Sequence, residues 1–129
     1  MALKIPIEPT SPVPIWKQIE DRLRRAIAAG QLASDAALPS VRELAVRLGI
    51  NPATVSRAYR RLVDAGLLAV RRGEGTFVAP LPHPAIAALR REILEEAADR
   101  YVREASELGA SLEEATGAVE RRWKGETGE

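Results

Sequence analysis

Between residues 42 and 72 the chain carries seven arginines against two acidic residues, Glu43 and Asp64. A guanidinium keeps its charge and presents its N–H donors as a planar fork, which matches phosphate oxygens and the O6/N7 edge of guanine. The densest grouping is Asn51-Pro52-Ala53-Thr54-Val55-Ser56-Arg57, followed by Arg60 and Arg61. Ala53 and Thr54 are small enough for a close approach to base edges, and either can touch a thymine methyl. Arg57 can contact guanine through two donors; Arg60 and Arg61, a turn further on, suit phosphates better than bases. Arg42 can reach the backbone or a groove edge. Arg71, Arg72 and Gly73 form a second basic group, of the kind drawn into a narrow A·T minor groove. A single exposed arginine is ordinarily just solvated. Seven against two, on short consecutive segments, form the electrostatic footprint of a nucleic-acid binder.

Such residues need rigid carriers, and the spacing supplies them. Ser40 and Glu43 make a capping box that starts a helix. Val41, Leu44, Ala45 and Leu48 form its apolar stripe, and Gly49 can stop it in a left-handed conformation. Asn51 caps a second helix with Pro52 in its first position. Val55, Ala58, Tyr59 and Leu62 are its inner face, and Gly66 ends it. Two capped helices joined by a short glycine-bearing turn predict a helix-turn-helix over about 40–65. Upstream, an irregular proline-rich arm leads to Pro14 in a first helical turn. A helix with Trp16, Ile19, Leu23, Ala26 and Ile27 on one face then runs to Gly30. Residues 32–39 read as a loop or short extended piece.

Beyond Gly66 the period changes from helical to extended. Residues 67–70 and 76–78 are β-type runs around Arg71-Arg72-Gly73-Glu74-Gly75, a hairpin wing within 67–79. Pro80, Pro82 and Pro84 predict a semi-rigid linker, with His83 as a solvated linker residue rather than a ligand. Next come Ile86, Leu89, Ile93, Ala97, Tyr101, Ala105 and Leu108 along one face of a long helix, broken at Gly109. Ser111 and Glu114 form a second capping box, and Leu112, Ala115, Val119 and Trp123 mark the inner face of a last helix.

Charge divides along the same line. Residues 1–80 hold 12 Lys or Arg against 7 Asp or Glu, whereas residues 81–129 hold 7 against 11. A basic half joined to an acidic half suits a nucleic-acid-binding module with a separate extension. Cysteine is absent, which excludes disulfides and thiolate metal sites and makes a reducing cytoplasm the simplest expectation. No apolar run is long enough for a bilayer, and the first residues lack the layout of a secretory signal. With one histidine, no cysteine and no phosphate-binding glycine loop, no catalytic constellation is visible and no cofactor is expected.

The run from Pro14 to Val78 resembles the DNA-binding domain of GntR-type bacterial regulators. The matching pieces are Pro14-Ile15-Trp16 with Gln18-Ile19, Gly30-Gln31-Leu32, and Leu38-Pro39-Ser40-Val41-Arg42-Glu43-Leu44-Ala45. They continue through Asn51 to Tyr59, Leu62, Gly66-Leu67 and Gly73-Glu74-Gly75-Thr76-Phe77-Val78. The resemblance implies DNA contacts at Arg42, from Asn51 to Arg57, and at Arg72-Gly73. Where some members carry an arginine in the recognition helix this chain has Ser56, with Arg57 beside it, so base specificity does not transfer. The tail is similar to the short two-helix tail of the YtrA-like branch, and its 49 residues cannot enclose a sizeable pocket in one chain.

The expectation is therefore a mainly α protein with a small β-hairpin: a winged helix-turn-helix over 12–80, then a linker and two-helix dimerisation hairpin over 81–129. Ile86, Leu89, Ile93, Ala97, Tyr101, Leu108, Leu112, Val119 and Trp123 would form the dimer contact. Expected partners are double-stranded DNA, a second copy of the chain and, if one exists, an unidentified small-molecule effector. The function expected is a homodimeric bacterial repressor on a palindromic operator. The competing reading is a winged-helix assembly module whose arginines serve salt bridges.

Overall fold

The computed structural model describes residues 4–127. Five helices and one hairpin follow in the order α1 (Ile15–Ala28), α2 (Val41–Leu48), α3 (Pro52–Asp64), β1 (Leu68–Arg71), β2 (Gly75–Val78), α4 (His83–Glu107) and α5 (Leu112–Thr127). The chain forms two compact units, residues 1–90 and 91–129.

In the first unit, α1 and α2 both pack against α3, and β1 follows it closely. The apolar spacing explains why. Ile19, Leu23 and Ile27 on α1, Val55 and Leu62 on α3, and Val78 on β2 are fully buried. Each such side chain contributes about 1.5–3 kcal/mol by leaving water. The starts of α2 and α3 follow from their caps. Ser40 Oγ accepts from the Glu43 N–H while the Glu43 carboxylate accepts from the Ser40 N–H, and Asn51 Oδ1 accepts from the Ala53 N–H at 2.8 Å. Between the two helices Gly49 sits at φ 66°, where any Cβ is strained, and this lets the Ile50 N–H close onto the Ala45 carbonyl. Pro14 stands one position before α1, so its carbonyl receives the Lys17 and Gln18 N–H groups. The Gln18 amide ties the arm down by three bonds, two with the Glu8 backbone and one to the Val13 carbonyl.

The hairpin pairs Leu68 with Val78 and Arg71 with Gly75, so each strand reaches one residue nearer the turn than the sequence suggested. After a turn at Asp35, whose φ is 67°, residues 36–38 are extended and lie along β2. Ala37 bridges Phe77, Leu38 N–H donates to Thr76 and Val78 N–H donates to Ala36. Behind the hairpin, the expected linker proves shorter. The Ser34 hydroxyl bonds both the N–H and the carbonyl of Leu81, and α4 already starts at His83. His83 and Pro84 therefore belong to the first helical turn, where the missing proline N–H costs nothing.

In the second unit, α4 ends as expected at Gly109 (φ 72°), with the Ala110 N–H donating to the Ala105 carbonyl. Ser111 and Glu114 cap α5 reciprocally, and the Tyr101 hydroxyl donates to the Ala115 carbonyl at 2.8 Å. The apolar stripe is not continuous through the turn. Leu108 (85% exposed) lies just past the last helical residue of α4, and Leu112 (80%) is the first of α5, so both leave the inner face. Leu89 and Ile93 are each only 8% exposed. They belong to the packing of the single chain, a correction to their expected place on a face left for a partner. Ile86, Ala97 and Ala105 are half-buried, and Tyr101, Val119 and Trp123 are exposed. Leu94 and Val102, unassigned from the sequence, are exposed as well.

Candidate nucleic-acid interface

A helix with Val55, Ala58, Tyr59 and Leu62 buried must turn its other side outward, and on α3 that side carries Ala53, Ser56, Arg57 and Arg60. Ala53, Arg57 and Arg60 are exposed, while Thr54 and Ser56 are half-buried at the flanks. Asn51 and Pro52 lie exposed at the helix start, with the Asn51 side chain committed to its cap. The only acidic residue of α3 is Asp64, at its far end. The Ala53 and Thr54 N–H groups are taken by the Asn51 side chain and carbonyl, so it is the helix dipole that makes this end favourable for anions.

Tyr59 fixes α3 against the start of α2. Its hydroxyl donates to the Pro39 carbonyl at 2.8 Å, and burial pushes its pKa well above the ordinary tyrosine value, a shift Arg47 opposes in part. The phenol therefore stays protonated and keeps donating. Arg42, exposed in the first turn of α2, is held relative to α3 by this bond. Next to it the Glu43 carboxylate has a lowered pKa, because the Ser40 backbone and then its hydroxyl hydrogen-bond to it, with Arg47 adding attraction. It is thus spoken for by the cap.

The arginines of α3 divide in a way the sequence did not show. Arg57 and Arg61, one turn apart, both lie over the Trp16 ring of α1, with guanidinium carbons 4.2 and 4.8 Å from its centroid. Arg61 Nε also reaches both oxygens of Glu20, at 3.2 and 3.1 Å. Trp16, expected as one more apolar residue of the α1 stripe, is half-buried and serves as a platform. Arg61, expected as a phosphate contact, is thus turned to α1 and paired with Glu20. Among the described residues, Arg42, Arg60 and Arg72 make no ion pair.

The wing shows a similar division. Arg71 is the last residue of β1; its guanidinium pairs with Asp35 and stacks 4.2 Å over the Phe77 ring. Arg71, expected at the wing tip, braces the hairpin from the end of β1 instead. Arg72, Gly73 and Glu74 form the exposed turn, closed by the Glu74 N–H on the Arg71 carbonyl, with Gly73 at φ 78°. Nothing in the sequence spacing marks Glu20, Asp35 or Phe77 as partners of these arginines, since each contact joins separate elements. No group of three or more potential metal ligands occurs among the described residues, and none of their helices is long and apolar enough to cross a membrane.

Comparison with known proteins matches residues 16–78 to the family described as bacterial regulatory proteins, gntR family. The repressor YtrA of Bacillus subtilis is 32% identical over 109 residues, covering 84% of this chain and 84% of that one. A GntR family transcriptional regulator from Listeria monocytogenes superposes with a TM-score of 0.79 at 30% identity, covering 89% of this chain and 98% of the other. The AraR DNA-binding domain, solved in complex with operator ORX1, superposes with a TM-score of 0.54 at 30% identity, over 61% of this chain and 99% of that chain.

Proposed function

The chain belongs to the GntR family of DNA-binding transcription regulators, and we propose that it acts as a homodimeric repressor on a palindromic operator. The exposed face of α3 carries this reading. It presents Ala53, Ser56, Arg57 and Arg60 without an acidic residue until Asp64, at a helix end that favours anions. In the proposed complex the N-terminal half of α3 enters the major groove. Ala53 and Thr54 lie against base edges, Ser56 and Arg57 read bases, and Arg42 and Arg60 meet phosphates. Asn51 and Pro52 bring the helix end to the backbone. The wing tip, Arg72-Gly73, enters the adjacent minor groove. Residues 12–80 do the binding, in the cytoplasm where the DNA is. The operator complex of the similar AraR domain supports this docking by analogy.

Residues 81–129 are proposed as linker and dimerisation tail. The second unit leaves Leu94, Val102, Leu108, Leu112, Val119 and Trp123 exposed. So much apolar surface on one small helical unit is either an interface or an aggregation liability. A two-fold contact between two tails covers it and brings two copies of α3 to one duplex. Half-sites then lie about one helical turn (~34 Å) or a multiple apart.

Selection of bound duplexes from a random pool tests the proposal. The expected result is one inverted repeat with that spacing, bound with an affinity that falls steeply as salt rises, because phosphate contacts release counterions. Enrichment of no sequence, with no salt-dependent binding, would leave the winged helix as a protein-assembly module.

A further inference from the structure

We propose that Trp16 of α1 is the positioning residue for Arg57, fixing the guanidinium for base readout; the inference rests on the operator-binding reading above. Arg57 is exposed, and an exposed arginine normally samples many rotamers, whose loss on binding opposes affinity. Here its guanidinium carbon lies 4.2 Å from the centre of the Trp16 ring. At that distance cation–π attraction and dispersion hold it against the indole. The ring itself is half-buried, on the α1 stripe whose next members, Ile19 and Leu23, have no accessible surface.

A second guanidinium shares this ring, and two cations side by side repel. Glu20, one turn after Trp16, resolves the conflict. Its carboxylate takes Arg61 Nε through both oxygens, so of the two guanidiniums Arg61 is neutralised where it stands and Arg57 keeps its charge uncompensated. Lys17 Nζ, 5.9 Å from the same centroid, leaves the cluster with a net positive charge beside the reading face. Trp16 and Glu20 at i, i+4 on α1 thus meet Arg57 and Arg61 at i, i+4 on α3. The pairing makes one arginine a reader and the other a brace.

The test is a double-mutant cycle on the full chain, using the duplex selected by the wild type and its single-base variants, with thermal melting of every variant. Trp16→Ala is expected to weaken operator binding about five- to tenfold, the size of a partly desolvated cation–π contact. It should relax preference at the same base pair as Arg57→Ala. The Trp16→Ala, Arg57→Ala double variant should bind no worse than Arg57→Ala alone, and Trp16→Phe, which keeps a ring, should restore most of the affinity. Losses that add in the double variant, or a Trp16→Ala loss spread evenly over all base pairs, would overturn the positioning role while leaving operator binding intact. A wild type that selects no sequence overturns the operator reading and this inference with it, and the cycle is then not needed to reject either.

Discussion

Arg57 and Trp16 stand 41 residues apart in the chain, yet the guanidinium of one lies 4.2 Å over the ring of the other. The contact joins the first helix of the domain to the outward face of α3. Two residues that look alike in sequence, Arg57 and Arg61, acquire different duties from it. Arg61 is consumed by Glu20, whereas Arg57 stays exposed and oriented.

Arg57 is held against a ring whereas Arg60 makes no ion pair among the described residues, and the two are predicted to behave differently on DNA. Arg57→Ala should cost about 1–3 kcal/mol on the operator and relax one base pair per half-site. Arg60→Ala should weaken binding to all duplexes alike and reduce the salt slope by about one. Competition binding against operator and random DNA at several salt concentrations measures both. Equal losses for Arg57→Ala on the two DNAs would remove it from base readout.

Glu20→Gln should release Arg61 from its carboxylate. A guanidinium freed beside the reading face adds one potential phosphate contact, so affinity for random duplex should rise and the salt slope steepen by about one. Unchanged slope and affinity would mean that Arg61 stays on Trp16 without the carboxylate.

At the wing, Arg72→Ala should abolish any preference for A·T-rich flanks outside the half-site. Arg71→Ala should leave that preference in place and instead lower stability by about 1 kcal/mol, since it removes the exposed Asp35 pair and the stack on Phe77. Binding to flank-substituted duplexes, together with thermal melts, separates the tip from the brace. An Arg71→Ala protein that has lost flank preference would return Arg71 to the groove.

Leu94→Glu and Leu108→Glu change side chains that are exposed in the single chain. Each should leave the melting of the winged domain unchanged, shift the protein to monomer in sedimentation, and weaken operator binding by much more than binding to a single half-site. Dimers that persist at micromolar concentration would exclude this surface as the interface.

Stability should fall as the pH rises past about 10, and Tyr59 should be a cause. Its pKa is raised in the folded chain, so its neutral form is favoured there. The associated stability is complete below the unfolded-state pKa of 10.0 and is lost as the pH climbs towards the folded value. Tyr59→Phe should cost about 0.5–1.5 kcal/mol at neutral pH through the lost bond to Pro39, and should flatten the alkaline decline. Denaturant titrations at pH 8 to 11 measure both, and an equally steep decline in the phenylalanine variant would assign it elsewhere.

Local signals in the chain were sufficient for most of the architecture. The Ser40/Glu43 box, the Asn51 cap, the glycine stops at 49 and 109 and the alternation around Arg71–Gly75 all act within a few residues. Their outcome depends on little beyond the neighbouring backbone, so the starts of α2, α3 and α5 and the hairpin were legible, whereas the start of α4 at His83 was not. The buried stripes of α1 and α3 were legible too, because a 3.6-residue period gathers apolar side chains on one side whatever that side meets. Helix ends were less so: Leu108 and Leu112 fit the period yet fall outside it, because the turn at Gly109 redirects them.

Which arginines pair within the chain was decided only by tertiary packing. Arg57, Arg60, Arg61, Arg71 and Arg72 are equivalent as letters, and spacing alone assigned all of them to DNA. The packing of α1 on α3 brings Trp16 and Glu20 to Arg61, and the extended piece at 36–38 lies against β2 and brings the turn at Asp35 to Arg71. An ion pair or a stacked guanidinium needs its partner within about 4–6 Å. Residues 41 and 36 positions apart come that close only through the folding of whole elements onto a shared core.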